Sequence, residues 1–180
     1  MSAIFGFVNL DDQPASQENI HVMAEVIGRW GTGELNTRYH ACVAMGHALL
    51  AISPESSSEA MPFYEPDSGL FLSAAARLDN RDELLDYFCI PNSKRSEFPD
   101  GRLVFLCYEK WKEETPTHLF GDWSFAVWHI RERKMFLSRD RLGNTGLFYY
   151  YRPPFFAFSS HLDSLLALPQ IESTINEKYI

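Results

Sequence analysis

Leu119-Phe120-Gly121-Asp122-Trp123-Ser124-Phe125-Ala126-Val127-Trp128 and, after a charged turn at 131–133, Leu137-Ser138-Arg139-Asp140-Arg141-Leu142-Gly143 carry the reading of the fold. Aromatic and β-branched side chains among small ones predict a strand over 124–130 and a returning strand over 135–139. A second hairpin follows: Leu147-Phe148-Tyr149-Tyr150-Tyr151 and Phe155-Phe156-Ala157-Phe158-Ser159 flank Arg152-Pro153-Pro154. The last third thus reads as a β-meander. Ser160 is placed to cap a closing helix that runs to Leu168 and stops at Pro169.

Working toward the N-terminus, Asp100 stands where an N-cap belongs, ahead of a helix over 102–112. The stretch 91–99 reads as a loop. Asn80, with Glu83 three residues on, forms a capping-box signature for a short helix whose apolar side is Leu84, Leu85 and Phe88. Strands are predicted at 70–78 and 39–52, with a polar loop over 53–59. Ile20, Met23 and Ile27 share one face of a helix over 17–29 capped by Ser16. Residues 3–9 read as a strand that ties the start of the chain into a sheet. Strands, a helical middle, then strands again make an α+β pattern rather than βαβ units.

The chain has 180 residues, 46% of them apolar and 22% charged, which suits one domain with a core of its own. A net charge of −8 argues against nucleic-acid and anionic-membrane partners. Cys42, Cys89 and Cys107 are widely spaced and read as core thiols in a reducing compartment. The apolar runs are too short to span a bilayer, and the N-terminus lacks a secretory pattern, so a cytoplasmic protein is expected. His21, His40, His47, His118, His129 and His161 show no metal-ligand spacing, and no metal site is expected.

Taken together, these blocks resemble the glutaminase-like domain of the asparagine synthetase family, the class II glutamine amidotransferases. Met1-Ser2-Ala3-Ile4-Phe5-Gly6 is similar to the family's Met-Cys-Gly-Ile-x-Gly opening. Gly46-His47, followed by Leu50-Ala51-Ile52, resembles a further block. Leu119 to Trp128 resembles its Gly-Asp/Met-Phe-Ala-Phe-Ala strand, and Arg139-Asp140-Arg141-Leu142-Gly143 its Arg-Asp-x-x-Gly turn. Leu147-Phe148-Tyr149 and Phe158-Ser159-Ser160 resemble its Leu-Tyr-Tyr and Phe-Ala-Ser-Glu blocks, in the same order. The resemblance implies an N-terminal-nucleophile hydrolase fold, a four-layer αββα sandwich of two antiparallel sheets. It implies a glutaminase-like domain over 1–170, with 171–180 starting a linker to an ATP-dependent synthetase domain.

In that chemistry Met1 is removed and residue 2 attacks an amide, its own α-amine acting as general base. Ser2 stands at the family's Cys position and is the candidate nucleophile; the other reading is a small residue at a strand start. A hydroxyl needs more activation than a thiol, and a retained Met1 leaves no free amine. The Arg that grips glutamine's carboxylate is replaced by Leu49, and the Asn-Gly oxyanion pair by Ala75-Ala76. Leu49 supplies no charge, and alanine supplies no side-chain donor, so at least half of the oxyanion hole is gone. Asp100 matches the acid that holds glutamine's α-amine, and the helix cap explains it equally well. The Arg-Gly-Pro-Asp loop appears as Trp30-Gly31-Thr32-Gly33, and His161 replaces the Glu of the helix start. Arg139 and Asp140 are expected to form a structural ion pair.

The expected function is therefore a degenerate glutamine amidotransferase-like domain of an ATP-dependent amide-forming ligase, a lasso-peptide cyclase or, like the β-lactam synthetases, another ring-closing relative. Its glutaminase activity is expected to be lost. No cofactor is expected in this domain; ATP and Mg are implied for the synthetase domain, which is the expected partner beside a peptide substrate. Two other readings stay open: an active N-terminal-Ser amidohydrolase, and a free-standing peptide- or partner-binding module.

Overall fold

A computed structural model describes residues 2–30, 33–51 and 53–172. Of the expected linker 171–180, only Ile171 and Glu172 fall among them; Met1, and Gly31 and Thr32 of the Trp30–Gly33 loop, lie outside.

Nine strands form two antiparallel sheets among the described residues. One sheet contains β1 (Ala3–Asn9), β2 (Leu35–His40), β3 (Val43–Ala48), β8 (Phe148–Arg152) and β9 (Phe155–Ser159), in the order β2-β3-β1-β9-β8. The other contains β4 (Phe63–Glu65), β5 (Leu70–Leu78), β6 (Gly121–His129) and β7 (Lys134–Arg139), in that order. The period of two sorts each strand between layers. In β1, Ala3, Phe5 and Phe7 face α1 (Gln17–Gly28), while Ile4 and Val8 face the second sheet. In β5, Leu70, Leu72 and Ala74 pack with the helical middle, while Phe71 and Ala75 face inward.

That middle holds α2 (Arg81–Tyr87), α3 (Asn92–Arg95) and α4 (Asp100–Trp111); Leu103, Val104 and Tyr108 of α4 are buried on the second sheet. The short α5 (Leu162–Leu166) joins α1 on the first sheet, with Leu165 buried among α1 residues. Helix, sheet, sheet, helix is the expected αββα sandwich. Its three apolar layers are the helix–sheet core on each side and the seam between the sheets, which the Ser73 hydroxyl crosses to donate to the Gly46 carbonyl at 3.0 Å.

Two glycines are dictated by close approach. The Phe5 ring lies where a Cβ on its partner Gly46 would stand. Gly121, at φ +128°, opens β6 with the Arg77 carbonyl where its Cβ would be.

The structure corrects several local expectations. The strand expected over 39–52 is not one strand over its described part, 39–51, which contains the end of β2 and all of β3, joined through Ala41 at φ +50°; Ile52 lies outside the described residues. The two late hairpins are not a meander, because β6–β7 and β8–β9 lie in different sheets. Loop 53–59 contains a 3-10 turn at Pro54–Ser58, and loop 91–99 contains α3. Asn80 occupies the N-cap position without capping, because its side chain binds the His118 carbonyl and the Phe120 N–H. Ser160 does not cap the last helix either: it accepts from the Ile4 N–H at 2.9 Å and ties β1 to the end of β9. Cys42 and Cys107 are buried as expected, but Cys89 is exposed.

Candidate functional site

The residue before β1 and the segment after β3 come together at one end of the sandwich. Ser2 Oγ accepts a hydrogen bond from the Leu50 N–H at 3.0 Å, which fixes the hydroxyl beside the backbone. Around it lies a hollow of about 30 Å³ lined by Ser2, His47, Leu49, Glu59, Ala76 and Asp100, among others. The structure thus brings together Ser2, Asp100, Leu49 and Ala76, all singled out in the sequence. Ala75 instead packs in the seam with Phe71 and Ala126.

Asp100 is not an N-cap. Pro99 holds the cap position, Asp100 is the first residue of α4, and its carboxylate turns away from its own helix. One oxygen accepts from the Leu78 N–H at 2.8 Å, and the other pairs with Arg81. The guanidinium of Arg81 also donates to the Arg95 carbonyl at 2.7 Å. Burial pushes the Asp100 carboxyl up, while the Leu78 hydrogen bond and Arg81 pull it back. Each oxygen is therefore tied to the domain's own scaffold.

Glu59 was only part of a polar loop in the sequence. Here it accepts from the Gly101 N–H at 2.9 Å, and burial pushes its carboxyl up to about 7. His47 is 1% exposed, and burial lowers its imidazole to about 4, so it is neutral at neutral pH. Glu59 carried no local signal, and His47 was read only as part of the Gly46-His47 block, because the burial of both comes from contacts far apart in sequence. Arg77, also at the hollow, is engaged by Asp79 at 2.5 Å and by Asp122 at 2.9 Å.

Two departures from the resembling pattern meet one another. Trp30 stacks on His161 with ring centroids 4.6 Å apart and an angle of 19°. The expected Arg139–Asp140 ion pair is not formed. Asp140 is buried and accepts from the N–H groups of Asn144 and Thr145 and from the Thr145 hydroxyl, each at 2.9 Å. Among the described residues no carboxylate lies within 4.0 Å of Arg139, and no group of three His, Cys, Asp or Glu side chains could hold a metal ion. Likewise, no helix among them is long and apolar enough to cross a membrane.

Chemically, the hollow offers the hydroxyls of Ser2, Ser53 and Ser56, the neutral imidazole of His47 and the carboxyl groups of Glu55, Glu59 and Asp100. It lacks a guanidinium free to hold a carboxylate and a side-chain amide to face an oxyanion.

A family model described as glutamine amidotransferase domain matches residues 1–180. Asparagine synthetase (glutamine-hydrolyzing) 3 of Bacillus subtilis strain 168 is 25% identical over 178 residues, which is 98% of this chain and 29% of that protein. Asparagine synthetase (glutamine-hydrolyzing) 2 of the same strain is 27% identical over 183 residues, 99% of this chain and 24% of that protein. The chain thus spans less than a third of the length of these relatives. Glutamine phosphoribosylpyrophosphate amidotransferase of B. subtilis, solved with ADP and GMP, superposes with a TM-score of 0.70 at 14% identity, covering 92% of this chain and 43% of that one; this likeness bears on the fold alone. The chain belongs to the glutamine amidotransferase domain family, in the N-terminal form carried by asparagine synthetases.

Proposed function

We propose that this is a degenerate glutamine amidotransferase domain that no longer hydrolyses glutamine and serves an ATP-dependent, amide-forming ligase of the asparagine synthetase family. The observation that carries the reading is the hollow beside Ser2. Its walls present Leu49 and Ala76, and its acid Asp100 is already held by Leu78 and Arg81.

A ligase that closes a ring onto an amine within its substrate, such as a lasso-peptide cyclase, needs no ammonia, and its first domain is free to lose this chemistry. The partner is then a synthetase domain of the same parent chain, reached through 171–180 and working in the cytoplasm on a peptide. ATP and Mg would act there: this chain shows no glycine-rich phosphate loop of the Ser-Gly-Gly-x-Asp-Ser type.

Ammonia release from glutamine, compared between the wild type and Ser2→Ala, tests the proposal. Both are expected to sit at the same background. Release at an ordinary enzymatic rate that Ser2→Ala abolishes would restore the active N-terminal-Ser amidohydrolase reading. That reading also needs Met1 removed, which intact mass measures directly.

A further inference from the structure

Asp140 spends its carboxylate on Asn144 and Thr145, and its own N–H donates to the Trp123 carbonyl at 2.7 Å. The turn after β7 is therefore pinned from inside. What it presents outside is Arg139, Arg141 and Leu142, the last 83% exposed. Neither guanidinium has a carboxylate partner among the described residues.

Facing that turn is Phe120, 63% exposed. Its backbone is anchored: its N–H donates to Asn80 Oδ1 at 3.1 Å and its carbonyl accepts from the Asp79 N–H at 2.8 Å. Between the two lies a hollow of about 630 Å³, with Leu119 and Trp123 on its buried side. An exposed aromatic ring on an anchored backbone, an exposed leucine and two arginines without a carboxylate partner have the composition of a binding hot spot. The backbone of both walls is already anchored by hydrogen bonds, which lowers the ordering cost of association.

We propose that this hollow docks a short acidic segment of a partner polypeptide, seating a carboxylate on Arg139 and Arg141 and an apolar side chain against Phe120 and Leu142. Charge complementarity sets the chemistry. On a chain of net charge −8, unpaired guanidinium groups beside apolar surface select an anion locally. Repulsion from the rest of the surface is screened beyond about 8 Å at physiological salt, which favours a short segment. The apolar walls call for more than a bare anion, and the net charge disfavours nucleic acid. The inference stands apart from the loss of glutaminase chemistry, because none of these residues lines the Ser2 hollow.

Fluorescence anisotropy with a dye-labelled random glutamate–tyrosine copolymer tests it, with polyglutamate and a lysine–tyrosine copolymer as controls. The wild type is expected to bind the glutamate–tyrosine copolymer saturably and in preference to both controls. Arg141→Glu and Leu142→Ser, on an exposed turn and checked for unchanged circular dichroism, are expected to weaken binding by about tenfold or more. Lys94→Glu on α3 is expected to leave it unchanged. Failure to saturate, equal binding of polyglutamate, equal loss on Lys94→Glu, or self-association through this face in place of copolymer binding would each overturn the proposal.

Discussion

Glu59, at the end of the 3-10 turn, accepts the N–H of Gly101 at 2.9 Å, placing a half-buried carboxyl beside Asp100. Burial pushes Glu59 up from 4.5 to about 7, and burial lowers His47 from 6.5 to about 4. The two groups act oppositely on stability. Folded Glu59 binds a proton more tightly than the unfolded chain does, so its contribution falls as pH rises from 4.5 to about 7. Folded His47 resists protonation, so its contribution falls as pH drops from 6.5 to about 4. Over the shared window the slopes cancel. In Glu59→Gln, stability is expected to climb from pH 4.5 to 6.5 by about 2 kcal/mol more than in the wild type. In His47→Gln it is expected to fall over the same range. Urea unfolding across pH measures both, and parallel profiles for the two variants would exclude this pairing.

Asp140 is the other buried acid whose environment makes a prediction. Burial would raise its carboxyl, but the hydrogen bonds from Asn144 and Thr145 outweigh that and hold it below the usual carboxylate range. Its stabilisation is therefore present at neutral pH and lost as pH falls through the low folded value. Asp140→Ala leaves the donors of Asn144 and Thr145 without their acceptor, at a cost of about 3 kcal/mol. Asp140→Asn keeps one acceptor oxygen and is expected to lose less. Arg139→Gln is expected to leave the melting temperature nearly unchanged, since the ion pair read from the sequence is not there. A large loss for Arg139→Gln in thermal melts would reinstate it.

These cases show what was legible in the sequence. The α+β order of elements was, because the strands and helices are written locally, but the αββα layering came only with the family resemblance of the ordered blocks, since β1, β5 and β6 are buried on both faces and show no alternation to read. The caps were less so. Asn80, Asp100 and Ser160 are all cap-type residues at helix starts, yet each spends its side chain on a partner distant in sequence: Phe120, Leu78 and Ile4. A polar side chain near a helix start satisfies whichever buried group folding brings to it. The candidate site was half legible for the same reason. Leu49 and Ala76 could be read by position, whereas Glu59 and His47 acquire their character only from burial.

Restoring the thiol alone is expected not to restore chemistry. Ser2→Cys replaces a hydroxyl that accepts the Leu50 N–H with a weaker acceptor, so a loss of about 1 kcal/mol in stability is expected. A thiolate would be the better nucleophile, yet the hollow would still present leucine where a carboxylate must be gripped and alanine where an oxyanion must be met. Losing a single oxyanion donor costs on the order of a hundredfold or more, and the missing guanidinium adds to that. Ser2→Cys and Ser2→Cys/Leu49→Arg are therefore both expected to release no ammonia from glutamine above the Ser2→Ala background. Measured turnover in the single variant would mean that the site remains competent apart from its nucleophile. Turnover appearing only in the double variant would place the whole loss in the carboxylate grip and leave the oxyanion site intact.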